Sequence, residues 1–82
     1  MRSTVEITIY PSAEDYLPPI KSFIDRINSY DDFQIQTTPT ATIICGEHNA
    51  LMDMISLATQ NHRQEIGLGF FVMKLLPGYE AI

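Results

Sequence analysis

The sequence predicts an α+β domain with its elements in the order β-α-β-β-α-β, on three observations. The spacing of apolar residues switches between a period of two and a helical period along the chain. A proline, Pro39, divides two adjacent alternating stretches, as the turn of a hairpin does. Pro11, Gly67 and Pro77 fall where one pattern gives way to another.

The first strand is Ser3 to Tyr10. Val5, Ile7 and Ile9 share one face, and Thr4, Glu6, Thr8 and Tyr10 the other, as expected of a strand buried on one side. Pro11 and Ser12 end it. From about Asp15 the stripe is helical, with Leu17, Ile20, Ile24 and Ile27 at three- and four-residue steps and Tyr16 and Phe23 widening it. Pro18 and Pro19 fit a first turn, whose N–H groups lack partners anyway. The polar run Asn28 to Asp32 closes this helix. Phe33 to Thr38 alternates again, and Thr40 to Cys45 reads as the return strand, stopped by Gly46. Glu47 to Asn49 offer caps for a second helix with the stripe Leu51, Met54, Ile55 and Ala58, and Leu57 on its shoulder. After polar Asn61 to Glu65, Gly67 and Gly69 lead into a last strand, Phe70 to Leu76. Pro77 and Gly78 finish it, and the final four residues are expected to be loose.

A right-handed crossover in each βαβ half puts both helices on one face of a four-stranded antiparallel sheet. This is the ferredoxin-like sandwich. The expectation is a single domain over residues 1–82, without linker or internal repeat.

Size and charge narrow the function. At 82 residues and 9.3 kDa, the chain buries only about 60% of its unfolded surface, so help from a partner subunit is plausible. The apolar fraction of 45% and mean hydropathy of 0.00 are those of an ordinary globular domain. Five Lys and Arg against ten Asp and Glu give a net charge of −5, which argues against nucleic acid and against an anionic membrane surface. One cysteine excludes an internal disulfide and fits a reducing compartment. Leu68 to Leu76 is too short, and too interrupted by Gly69 and Lys74, to span a bilayer. No signal peptide is visible, so the expected location is the cytoplasm.

The sheet face away from the helices is either wet or covered by a partner. Glu6, Thr8, Tyr10, Gln34 and Gln36 are expected there, joined by Thr40, Thr42 and Ile44 from the third strand. The last strand is apolar on both sides, Phe70 and Val72 on one and Phe71, Met73 and Leu75 on the other. Such strands are normally covered on both faces. Self-association through the sheet, as a dimer or tetramer, is the expectation.

No catalytic constellation is read. Cys45 and His48 lie three apart, but Cys45 follows Ala41 and Ile43 in register and reads as a buried core residue. His48 and His62 have no partners at metal-ligand spacing and read as surface-helix residues, so neither metal nor cofactor is expected. Gly67 and Gly69 punctuate a turn, since no phosphate-loop lysine follows. Asp31 and Asp32 are a solvated turn pair, and the methionines fill core. A non-catalytic protein is expected.

What remains is an organic ligand. Glu6, Thr8, Tyr10, Thr38, Thr40, Thr42 and Glu47 gather at one sheet face or its end. An aminopyrimidine with a cationic tail needs a carboxylate, hydroxyls and an aromatic wall, and these residue types supply them. Within that set, Glu6 and Tyr10 share a strand face about 13 Å apart, suited to an exocyclic amine at one end and a stacked ring at the other. A dimer interface with satisfied hydroxyls, and a Glu6–Lys74 pair between neighbouring strands, are the competing readings.

The segments Val5 to Pro11, Asp15 to Ile27 and Thr40 to Glu47 (VEITIYP, DYLPPIKSFIDRI and TATIICGE) together resemble the YkoF-like, thiamine-binding ferredoxin-like family. The likeness covers nearly the whole chain in element order and spacing. It implies a sheet-mediated oligomer that binds thiamine or its hydroxymethylpyrimidine moiety without catalysis, in vitamin uptake or salvage. At the hairpin turn, where the family often reads T-N-x-M-S-T, this chain has Thr37 to Thr42 as TTPTAT. Thr37, Thr42 and Gly46 match as they stand, and Glu47 matches as an acid.

Overall fold

The computed structural model describes Met1 to Pro11 and Leu17 to Ile82; Ser12 and the Asp15–Tyr16 start expected for the first helix lie outside the described residues. The elements are β1 (Arg2–Pro11), α1 (Leu17–Asn28), β2 (Gln34–Thr37), β3 (Thr42–Glu47), α2 (His48–Glu65) and β4 (Gly69–Leu76), in the expected order. The strands form one antiparallel sheet in the order β2-β3-β1-β4. The ferredoxin-like sandwich is therefore the fold of this chain.

The register decides which residues face the helices. Ile35, Ile44, Val5 and Leu75 pair in one row across the sheet, and Thr37, Thr42, Ile7 and Met73 in the next. Val5, Ile7 and Ile44 are buried against Phe23 and Ile27 of α1 and Leu51, Met54, Ile55 and Ala58 of α2, which form the core. The rows between them, Gln36–Ile43–Glu6–Lys74 and Gln34–Cys45–Thr4–Leu76, lie on the other face. This corrects the parity expected of the third strand. Thr42 and Ile44 face the helices, and it is Ile43 and Cys45 that share the open face with Glu6. Both alternate sets in β3 hold apolar residues, so the alternation alone does not orient the strand; the pairing of Ile44 with Val5 does.

Three further expectations are corrected. Gly46 does not stop the third strand but lies inside it, buried, because the Phe33 ring packs against its backbone: an added Cβ would sit 2.3 Å from Phe33 Cδ1. The C-terminal residues are not loose. Thr4 Oγ1 donates to the Tyr79 carbonyl (2.6 Å) and accepts from Ala81 N (3.0 Å), while Arg2 pairs with Glu80. This tail crosses the open face at the start of β1. Thr4 and Cys45 are buried beneath it, so Cys45 is a buried thiol on the face opposite the main core. His62, finally, continues the buried stripe of α2 and is only 3% exposed.

Candidate functional site

A cleft of about 280 Å³ opens at one end of the sheet, between α1, the last half of β1 and the β2–β3 turn. Ile7 and Ile9 of β1 and Ile20 and Ile24 of α1 supply apolar walls, and Thr38 to Thr42 close one side. Local chemistry shapes that side. Thr38 N donates to the Ala41 carbonyl (2.8 Å), and Thr38 Oγ1 bonds both the N–H and the carbonyl of Ala41 (3.0 Å each). A threonine that satisfies its own turn replaces ladder bonds lost at Pro39. Thr8 Oγ1 donates to the Thr40 carbonyl (2.9 Å) and ties the turn to β1.

Five of the seven residues singled out in the sequence come together here: Thr8, Tyr10, Thr38, Thr40 and Thr42 all line the cleft. They differ in what they offer. The hydroxyls of Thr8 and Thr38 are occupied with backbone. Those of Thr40 and Thr42 make no hydrogen bond with described residues, and Thr42, 5% exposed, forms part of the floor. Thr8 and Tyr10 alternate with Ile7 and Ile9 along β1, so they border the cleft from the strand's other side.

Two residues stand apart. Glu6 lies on the open face directly across from Lys74, with Lys74 Nζ 3.3 Å from Glu6 Oε2. Glu47 is at the far end of β3, where it caps α2: its carboxylate accepts from Ala50 N (2.8 Å). Hydrogen bonds from the backbone of Ala50 and then Asn49 hold its carboxyl below the usual range.

The apolar walls from Ile20 and Ile24 were legible only as helix core, and nothing in their spacing marks them as ligand-facing. His48 has a partner the sequence does not suggest. Its Nδ1 lies 2.7 Å from Ser3 Oγ, which also accepts from Gly78 N (3.0 Å). Ser3 is fully buried, so this contact joins β1, the start of α2 and the exit of β4; it does not present a nucleophile. Among the described residues no three of His, Cys, Asp and Glu converge as a metal site would need. No helix among them is long and apolar enough to cross a membrane.

No family model matches the chain, and no curated protein matches it. Solved structures do. A Streptococcus pneumoniae protein superposes at a TM-score of 0.86 with 21% identity, over 96% of this chain and 89% of its own. A Thermotoga maritima protein, provisionally named for thiamine biosynthesis or salvage, superposes at 0.85 with 23% identity, over 99% of this chain and 86% of its own. A domain of unknown function, DUF77, from Bacillus cereus superposes at 0.76 with 18% identity, over 96% of this chain and 76% of its own. At these identities the likeness establishes the fold that the chain shares with them.

Proposed function

We propose that this protein is a non-catalytic binder of thiamine or its hydroxymethylpyrimidine moiety, in the manner of the YkoF-like family, and serves vitamin uptake or salvage. The observation that carries the reading is the cleft itself. Two threonine hydroxyls that make no hydrogen bond with described residues, those of Thr40 and Thr42, stand beside isoleucine walls in about 280 Å³. That volume lies just below the ~300–1,000 Å³ usual for small-molecule pockets, which suits one heteroaromatic ring and not a dinucleotide. The hydroxyls would bond ring nitrogens or an exocyclic amine, and the isoleucines would cover the ring faces. The thiamine-related name of the Thermotoga maritima protein agrees with this reading. Glu6 and Glu47, with the occupations described above, are assigned no ligand contact.

Titration calorimetry with thiamine and with hydroxymethylpyrimidine tests it. Ligand at 100 times its Kd should add about 2.7 kcal/mol of stability, a shift easily seen by thermal melting. Thr42→Val, which keeps the shape of the floor and deletes its hydroxyl, should weaken binding by about 1 kcal/mol, or roughly fivefold, with the fold intact. Absence of heat and of any thermal shift at millimolar ligand would reject the reading.

A second reading, an interaction module that pairs with another copy through the open face, is favoured by a different observation. Tyr10, Phe70 and Val72 lie together on that face, 56%, 60% and 61% exposed. Their rings and methyls make an apolar patch beside the Glu6–Lys74 pair.

A further inference from the structure

The placement of every cation in the chain carries a statement about which form of the ligand the cleft accepts. The sequence holds five Lys and Arg in all. Arg2 pairs with Glu80 at the start of β1, Lys21 lies 4.0 Å from Asp25 on α1, Arg26 pairs with Glu65 between the helices, and Lys74 pairs with Glu6 on the open face. Arg63 is exposed in the last turn of α2. None of the five lines the cleft. Residues 12–16, which connect β1 to α1, read Ser-Ala-Glu-Asp-Tyr and bring no cation by sequence.

A helix start is the other common anion site, through its unpaired backbone N–H groups. Two of the first three residues of α1 are Pro18 and Pro19, which carry no N–H. The nearest helix beginning thus lacks two of its four free donors. Both histidines are elsewhere: His62 is enclosed under α2, and His48 sits at the opposite end of β3.

We infer that the cleft takes its ligand as the free alcohol and rejects the phosphate esters of that same ligand. This rests on the small-molecule reading above and sharpens it. A phosphate entering this space leaves water for isoleucine walls and threonine hydroxyls, with no positive charge to offset its desolvation and a net charge of −5 on the protein around it. An uncharged ring meets no such cost, and a cationic ring is attracted, not repelled, by that net charge. The discrimination comes from absent partners, the usual way a site rejects a charged relative of its ligand.

The test compares thiamine with thiamine monophosphate, and hydroxymethylpyrimidine with its monophosphate, by titration calorimetry at low and high salt. The expected result is binding of each ester at least about tenfold weaker than its alcohol, with a smaller gap at high salt because screening relieves long-range repulsion. Pro39→Lys, a cation at the exposed rim of the cleft, should narrow the gap by strengthening each ester relative to its alcohol. Esters that bind as tightly as the alcohols overturn the inference and leave the binding reading standing. A gap that Pro39→Lys leaves unchanged also overturns it, since the discrimination would then be steric. If neither alcohol binds, the binding reading itself fails and takes the inference with it.

Discussion

Replacing His62 with leucine should make the protein more stable, and the gain should grow as the pH falls. His62 projects from α2 against α1 and β4. Its ring meets Phe23 edge-on at 6.1 Å and Phe71 at 5.5 Å, and those two rings lie 5.0 Å apart. Neither imidazole nitrogen has a hydrogen-bond partner among the described residues. A buried polar group left unmatched costs about 1–3 kcal/mol, so its removal at neutral pH should recover a sum of that order, less any loss of packing against the two rings. Burial also lowers the His62 pKa from its ordinary value of 6.5. The unfolded chain therefore takes up the proton first as the solution is acidified. The stability due to neutral His62 is complete above pH 6.5 and is lost as the pH falls through the unfolded value toward the folded one.

Below pH 6.5 the wild type alone carries that loss, so the stability advantage of His62→Leu widens as the pH falls. Thermal melts of wild type and His62→Leu from pH 8 to pH 5.5 read the difference directly, because every other titrating group is common to both. Curves that run parallel over that range would refute the argument.

Gly46→Ala forces a methyl group toward Phe33 and should cost about 1–3 kcal/mol in chemical denaturation; a neutral result would mean that the Phe33 ring moves aside freely. Glu47→Ala removes the cap of α2 and should lower the melting temperature without altering ligand affinity, a split that calorimetry and thermal melting together will show. The capping contribution should fade in acid, since a carboxyl held below its usual pKa gives up that stability as the pH falls through its folded value. Val72→Arg, a charge set in the open apolar patch, should dissociate any sheet-to-sheet assembly in light scattering, and a wild type that is already monomeric would dismiss that assembly.

The fold was legible because each element carried its own signal. Val5, Ile7 and Ile9 could belong only to a strand buried on one side, and Ile20, Ile24 and Ile27 only to a helix with one apolar stripe. The position of His62 was open to the same reasoning. Leu51, Ile55 and Ala58 extend to residue 62 at the same three- and four-residue steps, and the polar company of Asn61 and Arg63 masked a buried position. The tail was harder. Its order depends on Thr4, whose hydroxyl binds two groups more than seventy residues away in sequence, and no local pattern announces a contact of that range.

The residue that most changes the functional picture is Thr42, and its position turns on a single step of register. On the face first expected, it would sit in the same surface as Glu6 and Tyr10, and one patch would have to serve both ligand and partner. Paired with Ile7 and facing the helices, it instead lies in the cleft floor, while Ile43 takes its place outside. The sheet is one residue thick, so these neighbours in sequence serve opposite surfaces. An assembly that covers Phe70 and Val72 would leave the floor of the cleft alone, and a ligand held at Thr42 would leave the open face free. The two readings of this protein are therefore compatible within one molecule. They are also separable by substitution: Thr42→Val should affect the titration and spare the mass, and Val72→Arg should do the reverse. A Thr42→Val protein that changes its oligomeric state while keeping its affinity would show that this separation of faces is mistaken.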